Sequence, residues 1–277
     1  MNILTFDIED WWVYEHYGMG NKNEFLPRLD KYLNNILDLL DKKNTKATFF
    51  CLGIIARNYP KVIKLIDNRG HQIACHSDIH SFLSDRDESF FYNDTKKAID
   101  SLEQVIGKKI IAYRAPAFSF TEKNKWAFTI LHSLGITEDS SIYPAKRAFG
   151  GFSSFAGSKE KPVLIQYNDT IIKEFPITLS SILGKYIAYS GGGYFRLLPY
   201  SFIKNKMEKS EYVMTYFHIK DFDFEQKKVF YTRYIQNYYG LKKAYHKFQS
   251  LIDDFKFVSI NQATEMTNWD KISIIQL

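Results

Sequence analysis

The feature that most narrows the fold is an alternation. Short apolar runs take turns with segments of helical periodicity along most of the chain, the pattern of repeated βα units around a largely parallel sheet. Strands are expected near 2–6, 47–52, 72–75, 109–113, 136–138, 163–167, 171–175, 212–217 and 255–260. Between them, Leu29, Leu33, Ile36, Leu37 and Leu40 recur at helical spacing, and Pro60 suits a first turn ahead of Val62, Leu65 and Ile66, with Gly70 as a stop. Further helices are expected over 90–106 closed by Gly107, 123–134 closed by Gly135, 199–209, and 229–248 interrupted at Gly240. A last short one begins at Asn261, a good cap. Seven or eight such strands can close into a barrel or stay open as a doubly wound sheet, and periodicity does not separate the two. Residues 145–161, with Gly150, Gly151 and Gly157, read as a loop that could close over a cleft rather than a linker, because apolar periodicity resumes at once. One domain spanning 1–277 is therefore expected, with a second glycine loop at Gly191, Gly192 and Gly193.

Composition removes whole classes of function. With 45% hydrophobic and 25% charged residues over 277 positions, disorder is excluded. A net charge of +6 invites nucleic acid as a partner, but the lysines are interspersed with acids and no basic recognition motif occurs, so none is expected. No apolar run reaches the roughly 18 residues of a spanning helix. The opening segment lacks a basic region and meets Asp7, Glu9 and Asp10 early, so a signal peptide is not expected. Cys51 and Cys75 lie in apolar runs and suit buried thiols in a reducing cytoplasm. The aromatic share, 17% with 19 Tyr and 23 Phe, exceeds core needs enough to suggest rings that stack on sugar or base faces.

Catalytic side chains on α/β folds gather at the carboxyl ends of strands. Asp7, Glu9 and Asp10 follow the first expected strand, His76 and His80 the third, Arg114 the fourth, and His218 a late one. Two imidazoles four positions apart on one helical turn project to the same side and can reach one metal, which makes His76 and His80 a candidate pair. The other reading is a pair of satisfied surface histidines. Along an extended strand Asp7 and Glu9 share a face while Asp10 turns aside, so one could ligate and one act as base. Alternatively the acids favour the start of a helix. Arg114 precedes Ala115-Pro116, a stiff turn that places its guanidinium for pairing, either within a site or as a structural ion pair.

These residues resemble the motifs of the polysaccharide deacetylase family, the NodB-homology or carbohydrate esterase 4 group. Thr5-Phe6-Asp7-Ile8-Glu9-Asp10 is similar to the first motif in the D-x-E form of the branch related to exopolysaccharide-locus deacetylases. His76-Ser77-Asp78-Ile79-His80 matches the second, Arg114-Ala115-Pro116-Ala117-Phe118-Ser119 the third, Asp139-Ser140-Ser141-Ile142-Tyr143-Pro144 the fourth and Tyr216-Phe217-His218 the fifth. The resemblance implies an α/β fold, a distorted (β/α)7 barrel. It implies Asp7 as general base, His218 as general acid, Arg114 orienting Asp7, and Asp139 holding and tuning His218. Glu9, His76 and His80 would hold one divalent metal, zinc by default with cobalt, nickel or iron also accepted; Asp10 is the alternative carboxylate. Trp11, Phe118 and Tyr143 would wall the sugar site.

The implied reaction is hydrolysis of the N-acetyl amide of an acetamido sugar or glycan intermediate. Metal-bound water attacks, Asp7 takes its proton, the oxyanion rests on the metal and a backbone N–H near Ala115, and His218 protonates the leaving nitrogen. Two rivals remain: hydrolysis of a non-sugar C–N bond such as a cyclic ureide, and a catalytically silent carbohydrate-binding protein.

Overall fold

The structure, a computed structural model, describes residues 1–9, 29–147, 150–155, 161–182, 184–228 and 234–277. Its first strand is β1 (Asn2–Ile3) continued after Leu4 as β2 (Thr5–Ile8), and every residue of β2 is buried. The neighbours are β3 (Thr48–Cys51), β4 (Gln72–Cys75), β5 (Ala112–Tyr113) and β6 (Glu138–Asp139), added in chain order and all parallel. A hairpin of β7 (Val163–Tyr167) and β8 (Thr170–Glu174) follows, with β8 parallel to β6 and β7 antiparallel to β8. β9 (Ser180–Ile182) and β10 (Lys185–Ile187) make a separate antiparallel pair. The returning strand, β11 (Val213–Met214) and β12 (Phe217–His218), lies parallel to β1 and β2 on their other side. β13 (Ile274–Gln276) joins β7, so the main sheet runs β12-β2-β3-β4-β5-β6-β8-β7-β13. It is a mixed α/β sheet dominated by parallel pairs, and β12 and β13 are its ends among the described residues.

Ten helices are described: α1 (Leu29–Lys42), α2 (Gly53–Asn58), α3 (Pro60–Asn68), α4 (Glu88–Ile106), α5 (Trp126–Ser133), α6 (Gly192–Leu197), α7 (Tyr200–Glu208), α8 (Tyr234–Tyr238), α9 (Leu241–Asp254) and α10 (Ile260–Met266). Local chemistry sets several ends. Asp87 caps α4 by accepting from the Phe90 amide, and Gly107 closes it at φ 68°, where a side chain would be strained. Pro60 stands at the first position of α3. The stripe Leu33, Ile36, Leu37 and Leu40 of α1 is fully buried. Phe6 stacks on Phe49 at 4.9 Å, and Phe217 meets Phe248 at 5.2 Å, so rings from β2, β3, β12 and α9 form one cluster. Burying each such side chain contributes about 1.5–3 kcal/mol. That cluster fixes β2 between its neighbours, and β2 carries the acids.

Two expectations are corrected. Residues 255–260 form no strand: Val258 makes a single bridge to Ile3, and a helix starts at Ile260. Its cap is Ser259, in a reciprocal box with Gln262, which leaves Asn261 inside the first turn. The expected helix over 199–209 is preceded by an unforeseen one, α6, and α2 was hidden because six residues are too few to display a period. Residues 229–233 of the expected helix at 229–248 lie outside the described residues; the remainder is α8 and α9, parted by Gly240 at φ 78°.

Gly53 opens α2 where the chain has no room for a side chain: a Cβ there would lie 2.3 Å from Asp78 Oδ1 and 2.6 Å from the Ala98 Cα. Gly53→Ala should therefore destabilise the fold by about 1–3 kcal/mol, measured as a lower midpoint in chemical denaturation, and an unchanged midpoint would contradict this packing.

Candidate metal centre and active site

The carboxyl ends of β2, β4, β5 and β12 meet at one place. Glu9 lies one residue past β2, His76 directly after β4, and His80 four further on; one ligand atom from each lies within 4.8 Å of the others. All three are buried. The second motif does not form the expected helical turn. Residues 76–80 are a loop in which Ser77 and His80 take left-handed backbone, at φ 70° and 63°. Such strain persists only where surroundings enforce it, and here they do. The Ser77 hydroxyl accepts from the His80 amide at 3.0 Å, and the Ser77 and Asp78 carbonyls accept from the Gly53 and Ile54 amides of α2. Asp94 accepts from the Asp78 amide at 2.8 Å, and the buried Asp78 carboxylate is gripped by Arg57 and Lys97. The loop brings the rings of His76 and His80 to 5.4 Å.

The donor set suits a divalent cation. His76 Nδ1 lies 2.8 Å from the Arg114 carbonyl, which fixes the proton on Nδ1 and turns the Nε2 lone pair inward. Burial pushes the His76 imidazole down to about 4, so the ring is neutral near pH 7 as a ligand must be. Glu9 Oε2 faces His80 Nε2 at 2.6 Å, with both side chains buried. A buried carboxylate oxygen set against an imidazole nitrogen, with a second imidazole close by, is an arrangement a cation can bridge. Burial works against ionising Glu9, but Lys220, His80 and His218 outweigh it and hold the carboxyl well below the usual range.

Around this triad stand the other expected residues. Arg114, fully buried, donates through Nη1 to Asp7 Oδ1 at 2.7 Å and to the Thr5 hydroxyl at 2.8 Å, with Nη2 3.1 Å from the Ser140 hydroxyl. Its guanidinium also lies 4.1 Å from the Phe50 ring centre. His218 Nε2 is 3.8 Å from Asp7 Oδ2 and 3.4 Å from Glu9 Oε1.

The partner of His218 is not the one expected. Asp139 is occupied elsewhere, accepting from the Ser141 hydroxyl at 2.7 Å and the Ser141 amide at 3.0 Å and sharing a hydrogen bond with Glu174. His218 Nδ1 instead meets Asp221 Oδ2 at 2.9 Å, and the same oxygen accepts from the His218 amide at 2.9 Å. A partner three residues on, reached through a local turn, is closer than one on β6. Arg196 backs Asp221 at 3.1 Å, and although burial works against the charge, His218 and Arg196 bring the Asp221 carboxyl down to about 2. Burial and Lys220 oppose a proton on His218, yet Asp221 and Glu9 outweigh them and raise its pKa. The Ala115 amide itself donates to the Ser141 hydroxyl at 2.8 Å, so an oxyanion donor near Ala115 would be another backbone N–H.

Of the expected sugar-site rings, Trp11 lies outside the described residues, as does the alternative ligand Asp10. Phe118 and Tyr143 are 5% and 7% exposed and pack in an apolar cluster with Tyr216, whose ring is 6.0 Å from that of His218. The loop Gly191-Gly192 seats Tyr216: a Cβ on Gly191 would fall on the Tyr216 carbonyl. Residues 148, 149 and 156–160 of the loop at 145–161 are outside the described set. Asp221, Lys220, Tyr216 and Phe82, whose ring is 5.9 Å from that of His80, were not singled out as site residues. Lys220 and Asp221 do follow His218 directly at the expected strand end, and the spacing His218-x-x-Asp221, that of a capping box, points to Asp221.

Two family models match the chain. Residues 3–138 match the family model described as polysaccharide deacetylase, and 140–265 match one described as a domain of unknown function (DUF3473). Residues 3–138 are thus a polysaccharide deacetylase domain, of the NodB-homology or carbohydrate esterase 4 group. It is 33% identical over 122 residues to a peptidoglycan-N-acetylglucosamine deacetylase of Bacillus cereus, 42% of this chain and 44% of that one. To a chitin deacetylase of Pestalotiopsis it is 32% identical over 107 residues, 38% and 35% of the two chains. The chain thus spans less than half the length of these relatives. In fold it resembles a polysaccharide-deacetylase-type protein of Mycobacterium smegmatis, with TM-score 0.66, 19% identity and coverage of 100% and 92%. It also resembles a carbohydrate esterase 4 pseudoenzyme of Bacillus anthracis, with TM-score 0.52, 12% identity and coverage of 99% and 66%.

Asp139 and Glu174 generate a pH prediction. Burial, and for Glu174 also the neighbouring Asp139 charge, raises both carboxyls above their ordinary range. A raised carboxyl binds its proton more tightly folded than unfolded, so its stabilisation is present at acid pH and is lost as pH climbs towards the raised value. Glu174→Gln keeps the shape and a donor for Asp139. The melting temperature of the wild type should fall more steeply above the carboxylate range than that of Glu174→Gln; parallel profiles would refute a shared proton.

Proposed function

We propose that the chain is a metal-dependent carbohydrate N-deacetylase that removes the acetyl group from an acetamido sugar or glycan intermediate. The observation that carries this reading is the convergence of Glu9, His76 and His80 within 4.8 Å, with Asp7 and His218 against the same cluster. Residues 1–277 would act as one catalytic unit, because the acids come from the segment matching the deacetylase model and His218 from the segment matching the second model. We place the reaction in the cytoplasm, since Cys51 and Cys75 are register partners on adjacent strands and remain free thiols. No helix of the described residues is long and apolar enough to cross a membrane.

An acetamide resists hydrolysis at both ends, with a poor electrophile and a poor leaving group. A divalent cation, zinc by the character of two imidazoles and one carboxylate, supplies Lewis-acid polarisation and a more acidic water when bound. Asp7 is the base. The Arg114 bond to Oδ1 leaves Oδ2 directed at the reaction space, 3.8 Å from His218 Nε2. His218 is the acid: Asp221 holds the Nδ1 proton, so Nε2 faces the cluster and delivers its proton to the departing nitrogen. With Asp7 and His218 only 3.8 Å apart, the proton taken by the base and the one given by the acid are handled within one small volume. Phe118, Tyr143 and Trp11 would border the sugar, with Tyr216 closing the side next to His218.

Acetate release from N-acetylglucosamine oligomers should be abolished by a chelator and restored by zinc. His80→Ala should lose zinc and activity together. Asp221→Asn should lower kcat by roughly 100-fold, within the range of acid–base contributions, and move the alkaline limb of the rate profile to lower pH, because the anion that raises His218 is gone. Release insensitive to chelation would contradict the proposal; no release from fully zinc-loaded protein would favour a carbohydrate-binding role instead.

A further inference from the structure

One buried cation beside the ligands has no part in the reaction as drawn above. Lys220 is 6% exposed and sits in the single turn after β12, two residues beyond His218. Its Nζ donates to Oε1 of Glu9. The other carboxylate oxygen, Oε2, is the one that stands 2.6 Å from His80 Nε2. The two oxygens of Glu9 are thus divided, Oε1 facing Lys220 with His218 Nε2 at 3.4 Å, and Oε2 facing His80.

From this division we infer that Lys220 is a positioning residue that confines Glu9 to one ligand oxygen, Oε2, and draws negative charge out of it. The inference rests on the metal-dependent reading above. An ammonium has three donors and no acceptor, so it competes for a carboxylate oxygen without being able to ligate a metal itself. Partners behind a metal ligand set both its orientation and how strongly it donates. The common case, a carboxylate behind a ligating histidine, makes the ligand a stronger donor; an ammonium on a ligating carboxylate does the reverse. With Oε1 held away, the carboxylate does not chelate through both oxygens, and room remains for substrate as a catalytic site requires. A cation held this way is bound less tightly and withdraws more charge from whatever else it touches.

The test compares wild type, Lys220→Met and Lys220→Gln, measuring the zinc dissociation constant by competition with a chromophoric chelator, and kcat on N-acetylglucosamine oligomers. Lys220→Met frees Oε1 and should bind zinc at least ~10-fold tighter, the scale on which such outer partners act, while kcat falls. Lys220→Gln keeps a neutral donor, should shift both quantities in the same direction, and carries the test if the methionine variant does not fold. Zinc affinity that is unchanged or weaker in a folded variant overturns the inference, as does tighter binding with unchanged kcat. A wild-type chain that binds no zinc overturns the metal-dependent reading itself; zinc bound equally by wild type and variants overturns only the role of Lys220.

Discussion

The buried ion pair between Arg114 and Asp7 is the constraint on which the rest of the site depends. Arg114 touches Thr5 and Asp7 of β2, Ser140 beyond β6, Met214 of β11 and the face of Phe50 on β3. A guanidinium with no exposed surface is tolerable only when its donors are nearly all used. Removing one partner of such a pair costs about 3–5 kcal/mol, so this contact aligns strands as well as aiming a carboxylate. Its carbonyl also fixes His76. One residue therefore sets the position of the proposed base and the tautomer of a proposed ligand.

A second constraint is the order in which the strands are laid down. The parallel run from β2 to β6 puts successive carboxyl ends at one edge, and the return of β12 beside β2 places His218 next to Asp7 in register. Side chains far apart in sequence become neighbours through that single pairing. The aromatic cluster of Phe6, Phe49, Phe217 and Phe248 keeps β2, β3 and β12 from sliding past one another. Fold and site are thus joined: the same strands that carry the apolar rings inward present the acids and imidazoles at their ends.

Much of this was legible because the reactive residues lie in contiguous motifs at strand ends, where apolar run and polar cluster adjoin. Gln72–Cys75 and Val163–Tyr167 stand where their apolar character placed them. What escaped was decided by three-dimensional proximity or by side-chain capture of the backbone. The His76 to His80 segment has helical spacing, but Ser77 and Asp94 offer its amides other partners and the chain forms a strained loop. Asp139 has the family motif, yet Ser141 and Glu174 absorb its carboxyl while Asp221 takes the histidine. Lys220 follows His218 at an expected strand end in sequence, but only the closure of β12 onto β2 buries it against Glu9.

The most direct measurement is an anomalous-difference map from zinc-soaked crystals, recorded above and below the zinc absorption edge. The account predicts one peak within bonding distance of Glu9 Oε2, His76 and His80, with Asp7 and His218 alongside. A peak elsewhere, or a clean map at that position from protein that still releases acetate, would contradict it.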